Sequence, residues 1–179
     1  MSQTIGVIIL TRNDQQWLPA ALESAKWADQ IVVVDDGSTD QTLKIARQYT
    51  DKIVELKQYE EQIDFSQKRN VGLEKISTDW VFYLDSDERI LATLKEEISQ
   101  ILNSKTVEVA WAVPRRNVIL GEEKSYSAFW PDYVIRLFKR SALRQWSGKV
   151  HEQPEFDGQL ALHPPYFRKH YLKYVIHLL

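Results

Sequence analysis

The chain has 179 residues, enough for one domain with a sizeable core. Its 23 basic and 25 acidic side chains leave a net charge of -2, which excludes a nucleic-acid binder built on a broad positive surface, so any anion site must be local. Cysteine is absent, and with it disulfides, thiolate metal sites and cysteine nucleophiles, a composition that fits a reducing compartment.

The N-terminal stretch MSQTIGVIILTRND enters an apolar run too short to cross a membrane, without a basic n-region or a small-residue cleavage site, and reads as cytoplasmic. Ile5 to Leu10 predicts a buried strand, and Trp17, Leu18, Ala21, Leu22 and Ala25 then recur at helical spacing. The pattern repeats. Gln30 to Val34 is a second strand ending in DDGST, and Ser38 with Gln41 predicts a capping box for a helix carrying Leu43, Ala46 and Tyr49. Lys52 to Leu56 is a third strand, and Asp64 with Gln67 predicts another capping box, opening a helix with Phe65, Leu73 and Ile76 inward. Trp80 to Leu84 is the fourth strand. Strands apolar on both faces and alternating with helices imply an α/β fold, a parallel sheet covered on both sides through right-handed crossovers.

Beyond Leu91 a helix presents Leu94, Ile98, Ile101 and Leu102, and then the texture changes to a smaller, mixed β region. Val107 to Val113 alternates, RRNVILGEEKSY predicts a hairpin around Gly121, and Tyr133 to Phe138 is another strand. Tyr166 to Leu179 predicts an amphipathic helix. Its Arg168, Lys169 and Lys173 among Tyr171, Leu172, Val175 and Ile176 suit an anionic membrane surface, although covering a core is the commoner use of such a helix. No repeat or linker divides the chain, so residues 1–179 form a single domain.

The stretch DWVFYLDSDERI sets a buried strand directly against Asp85, Asp87 and Glu88, a group of carboxylates that demands a positive partner. In an open parallel sheet ligands bind at the carboxyl ends of the strands, where TRND, DDGSTD and DSDE would meet. Two oxygens from Asp85 and Asp87 suit Mg²⁺ or Mn²⁺, whose shell is commonly completed by substrate phosphates, and Lys68 and Arg69 on the third helix are placed to meet a diphosphate. Each signal alone has an ordinary reading. Acidic turns and N-caps are commoner than metal sites, DDGS alone is a turn, and His151 and His163 alone are surface or hydrogen-bonded histidines.

Together, IGVIILTRNDQQWLPAALES, VVVDDGSTDQT, QKRNVGL and VFYLDSDERI resemble, in order and spacing, the family 2 glycosyltransferases of the GT-A (Rossmann-like) fold. WADQIVVVDDGSTD, RRNVILG, WPDYVIRLF and VHE look like the branch with the lipopolysaccharide-core β-1,4-glucosyltransferases. The resemblance implies a nucleotide-sugar half, about 1–90, and an acceptor-side half, about 91–179. It implies Thr11, Arg12 and Asp35 at the nucleoside, Arg69 at the base or diphosphate, and Asp85 at the ribose or the metal's outer shell. Asp87 would bind the metal directly, completed by His163 or else His151. Glu152 of VHE would be the catalytic base, with Asp132 of WPDY as the alternative.

The implied reaction is an inverting transfer from a UDP-sugar to a glycan or lipid-linked acceptor in lipopolysaccharide or envelope polysaccharide synthesis. A carboxylate takes the acceptor proton while a divalent cation neutralises the departing diphosphate. Peripheral contact with the inner membrane face would go with a lipid-linked acceptor. Competing readings are a nucleotide-sugar-binding module without catalysis and a haloacid-dehalogenase-type phosphatase, which also sets Asp-x-Asp after an apolar strand.

Overall fold

The computed structural model describes residues 3–56, 64–119, 122–123, 132–149, 151–162 and 172–176. In chain order the elements are β1 (Ile5–Thr11), α1 (Leu18–Ala25), β2 (Gln30–Asp35), α2 (Thr42–Ala46), β3 (Ile53–Glu55), α3 (Phe65–Lys75), β4 (Trp80–Asp85), β5 (Glu88–Ile90) and α4 (Ala92–Asn103). The second half adds β6 (Glu108–Ile119), β7 (Glu122–Glu123), β8 (Asp132–Lys139), β9 (Leu143–Ser147), β10 (Gln153–Phe156), β11 (Gln159–Leu162) and β12 (Leu172–Ile176).

The main sheet runs β3-β2-β1-β4-β8-β6-β12-β5, with β7 and β11 also on β6, while β9 and β10 form a separate antiparallel pair. The β3-β2-β1-β4 portion is parallel, and β8 is antiparallel to both β4 and β6. The interiors of β1, β2 and β4 are apolar because both faces of the sheet are covered there. Ile5, Val7, Ile9, Trp80, Phe82 and Leu84 pack toward α1 and α4 on one side. Ile8, Leu10, Val81 and Tyr83 pack toward Leu73, Ile76, Phe138 and Trp146 on the other. Gly72 lets α3 lie close on the sheet, since a Cβ there would stand 2.6 Å from Ile8 Cγ2.

The expected α/β class holds, and β7 folds back on β6 with Val118 opposite Glu123, so the predicted hairpin forms. The Asp64–Gln67 capping box is present in full. The Ser38–Gln41 box is not: α2 starts after Gln41 with no side-chain cap, because the Ser38 hydroxyl and amide are bound to Asp35. Phe65, expected inward, is 55% exposed at the start of α3. Residues 172–176 of the expected C-terminal helix are a strand lying between β6 and β5, where pairing on both edges outweighs helical periodicity. The remainder of Tyr166 to Leu179 lies outside the described residues, and the membrane-lying helix loses its basis at 172–176. No helix among the described residues is long and apolar enough to cross a membrane.

Candidate functional site

Register brings the polar clusters together. Thr11 at the end of β1 stands beside Asp35 of β2, and Leu10 stands beside Asp85 of β4, so the loops that follow share one edge of the sheet. They are stitched to one another. Asp14 Oδ2 accepts from the Thr11 hydroxyl at 3.0 Å, the Arg12 amide at 3.0 Å and the Ser86 hydroxyl at 2.6 Å. Asn13, in the left-handed region at φ 53°, donates its amide to Ser38 Oγ and accepts from the Thr39 amide, both at 2.8 Å.

Between these loops and the N-terminus of α3 lies a cavity of about 520 Å³, lined in part by Thr11, Arg12, Asp36, Phe65, Lys68, Asp85, Ser86 and Lys149. Thr11 and Arg12, expected at the nucleoside, both line this cavity. Asp35 does not line the cavity: it is buried, and its carboxylate accepts from the Ser38 amide and hydroxyl, forming the turn instead. Its neighbour Asp36 does line it, bound to Lys68 Nζ at 2.6 Å and Arg12 Nη1 at 3.4 Å.

Arg69 is 5% exposed and joins two segments far apart in sequence. Its Nη2 donates to Asp85 Oδ1 at 3.3 Å and to Glu152 Oε1 at 3.2 Å, while the guanidinium stacks on Trp146 at 4.8 Å and Tyr83 at 5.6 Å from the ring centroids. Its Nη1, buried, has no hydrogen-bond partner among the described residues. Asn70, the next residue, clasps β9 by donating to the Trp146 carbonyl at 2.9 Å and accepting its amide at 2.7 Å. Glu152 is therefore tied to the sheet edge rather than to Lys149 or Arg144, and Arg144 pairs with Asp157.

The acids of DSDE fall into two groups. Asp85 and Glu88 take the same guanidinium, with Arg136 Nη2 bound to Asp85 Oδ2 and to Glu88 Oε1, the latter at 2.7 Å. The positive partner is thus largely protein. Burial works to raise Asp85, but Arg136, then Arg69, hold its carboxyl well below the usual carboxylate range. Asp87 differs: burial, then the charges of Asp85 and Glu88, push it up to about 7. Its side chain makes no ion pair or hydrogen bond to another described residue, and Arg89 beside it donates instead to the carbonyls of Ser86, Glu88 and Trp17. Asp132 sits at the other end of a charge chain, on Arg115 at 2.8 Å, with Arg115 in turn 3.5 Å from Glu88. His151 is exposed at φ 59°, and His163 lies outside the described residues. Among the described residues no group of three or more His, Asp or Glu side chains is arranged to hold a metal.

Sequence reasoning missed Arg136, Arg115, Asp36 and Lys149. Arg136 carried no signal, because a charged residue within YVIRLFK reads as the polar position of an alternating strand.

A family model, "Glycosyl transferase family 2", matches residues 6–155. The chain belongs to this family. That membership removes the phosphatase reading. The lipopolysaccharide core biosynthesis glycosyltransferase LpsC of Rhizobium meliloti is 30% identical over 155 residues, 83% of this chain and 56% of LpsC. Glycosyltransferase SunS of Bacillus subtilis is 28% identical over 84% of the chain and 34% of its own length, so the chain spans about half or less of these curated relatives. Among solved structures, S. aureus TarS 1-349 in complex with UDP superposes with a TM-score of 0.68 at 20% identity, covering 97% of this chain and 60% of TarS. Glucosyl-3-phosphoglycerate synthase from Mycobacterium tuberculosis, solved with Mn²⁺, UDP and phosphoglyceric acid, has a TM-score of 0.55 at 17% identity over 79% of this chain and 57% of its own. At such identities the likeness is one of fold, the GT-A fold.

Proposed function

We propose that this chain holds the donor site and catalytic base of an inverting glycosyltransferase, moving a sugar from a UDP-linked donor to a glycan or lipid-linked acceptor of the cell envelope. The observation that carries the reading is Arg69: one buried guanidinium ties Asp85, at the donor end of β4, to Glu152, on the acceptor side. LpsC, named for lipopolysaccharide core biosynthesis, supports the acceptor class, and TarS, solved with UDP and with UDP-GlcNAc, supports the donor class.

In this reading Thr11, Arg12 and Asp36 face the nucleoside from the loops, Asp35 acts through the turn it forms, and Phe65 offers an exposed ring to the base. Lys68 and Lys149 would meet the diphosphate from the cavity wall, while Arg69, buried and bound to Asp85 and Glu152, would act by holding those two acids in place. A divalent cation would be held at Asp87, a carboxylate that burial and the charges of Asp85 and Glu88 push upward and that has no cationic partner among the described residues; Asp85 is committed to two arginines, and His163 is a further candidate ligand. When bound, Mg²⁺ or Mn²⁺ would neutralise charge on the leaving diphosphate. Glu152 would take the acceptor hydroxyl's proton as the acceptor oxygen attacks the anomeric carbon from the face opposite the diphosphate, inverting its configuration. Asp132 is less suited, since its carboxylate is held by Arg115 and Asn117 and is joined to Asp85 through Arg115, Glu88 and Arg136.

A cytoplasmic location accompanies this reading, and contact with the membrane surface belongs to its lipid-linked form, testable by flotation with anionic liposomes. The deciding experiment is a thermal-shift panel of nucleotide sugars with and without Mn²⁺, followed by transfer assays with the ligand that stabilises most. Stabilisation by UDP-sugars that needs Mn²⁺ is expected. Equal stabilisation by GDP- and UDP-sugars would sink the donor assignment, and binding without turnover over a broad acceptor panel would favour the non-catalytic module.

A further inference from the structure

Arg136 is 4% exposed, and it is the extra residue of a bulge. On β6 the partners of Trp111 and Ala112 are Leu137 and Ile135, so Arg136 has no opposite number, and pairing of β8 with β4 also ends at Leu137. Bulges of this kind bend a strand and re-aim a side chain. Here the side chain reaches the DSDE turn, where Nη2 binds Asp85 and Glu88 together. Glu88, wholly buried, uses its other oxygen to accept the Asp85 amide at 3.2 Å, so the turn is closed at both ends by one carboxylate that Arg136 anchors. Such a carboxylate, left buried without a cation, would be expelled or protonated, and the turn would reopen.

We propose that Arg136 is a positioning residue of the donor site: delivered by the β8 bulge, it neutralises Asp85 and Glu88 from inside the protein and sets the turn so that Asp87 is the carboxylate left to meet a cation and its diphosphate. The inference rests on the reading of the crevice as a metal-assisted nucleotide-sugar site. A purely structural ion pair makes a different claim, that any packing-equivalent replacement serves as well.

The test compares the parent, Arg136→Lys and the double variant Arg136→Met/Glu88→Met in the full chain, by calorimetry with UDP and Mn²⁺ and by thermal melting. Exchanging a buried ion pair for apolar side chains of similar volume is often neutral or stabilising, so the double variant should melt near the parent. Its Mn²⁺-dependent affinity for UDP should nevertheless fall about tenfold to a hundredfold, the usual cost of losing a group that orients a ligating side chain. Arg136→Lys, keeping the charge but unable to bridge both acids from one planar fork, should lose less than the double variant. A folded double variant whose affinity falls by less than about tenfold overturns the proposal. If the double variant does not fold, Arg136→Lys decides: weaker binding with an unchanged melt supports the role, and unchanged binding overturns it. A parent that binds UDP without regard to Mn²⁺ overturns the proposed function and this inference with it, whereas a parent that needs Mn²⁺ beside indifferent variants overturns this inference alone.

Discussion

In β1, β2 and β4 every residue except Asp85 is buried, and the loops that follow are held by their neighbours: Asp14 gathers Thr11, Arg12 and Ser86, and Asp35 gathers Ser38. The second half works differently. Its β8 and β10 are only partly buried, and its contribution to the crevice is charge from a distance, Arg136 reaching Asp85 across 51 residues and Glu152 reaching Arg69 across 83. The first half holds its loops together through hydrogen bonds of hydroxyls, amides and single carboxylates, some within a turn, as between Asp35 and Ser38, and one, from Ser86 to Asp14, across 72 residues. The second half supplies the charges that make a group of buried carboxylates affordable, and these work only in a folded, low-dielectric setting.

The comparison is broken most directly at Glu152. If the second half carries the base, Glu152→Gln should lower transfer about a hundredfold to ten-thousandfold while UDP affinity stays within reach of the parent's. Asp132→Asn should do far less, and the reverse pattern in single-turnover assays would move the base to Asp132.

Next in size is Asp87→Asn, which should lose most Mn²⁺-dependent UDP binding by calorimetry. Asp87 is pushed from 3.8 up to about 7, so folding takes up a proton between those values. The stability tied to the protonated carboxyl is present below about pH 4 and is lost as pH rises through about 7. Without metal, the asparagine variant should therefore melt higher than the parent at pH 8, by about 2–4 °C for each kcal/mol relieved, and level with it at pH 4. A lower melt at pH 8 would show that Asp87 already has its counter-charge.

Smaller effects probe the stitching of the first half. Asp14→Ala strands the Thr11 and Ser86 hydroxyls and should cost about 1–3 kcal/mol by denaturant unfolding, with weaker UDP binding because the loops separate. The least is expected from Asp64→Ala, which removes the α3 capping box for about 1 kcal/mol and leaves Arg69 in place. A large loss of UDP affinity there would mean that α3 is positioned by its cap rather than by Gly72 and the Asn70 clasp.

Much of the first half was legible because its signals are local. Ile5 to Leu10 and Trp80 to Leu84 announce buried strands by composition alone, and Asp64 with Gln67 announces a helix start within four residues. The same rule misfired at Ser38, since the hydroxyl that would cap α2 was claimed by Asp35 in the preceding turn. In the second half β9, β10 and β11 are too short to show a period, and β12 looked helical until both its edges found partners. Asp36 was passed over for Asp35 because neighbouring acids in a turn differ only in which way the chain presents them.

Residue order by itself determined the alternation of buried strands and helices, the placing of TRND, DDGSTD and DSDE after strands, and through those motifs the family, because apolar periodicity and short spacings are written along the chain. Only the tertiary structure decided which acids of DSDE are neutralised and which is left without an ion pair among the described residues. That choice depends on Arg136, Arg69 and Arg115 arriving from β8, α3 and β6, and on a bulge whose extra residue is defined by the strand opposite. Charge compensation among buried groups is a matter of a few ångströms in space, and sequence distance does not encode it.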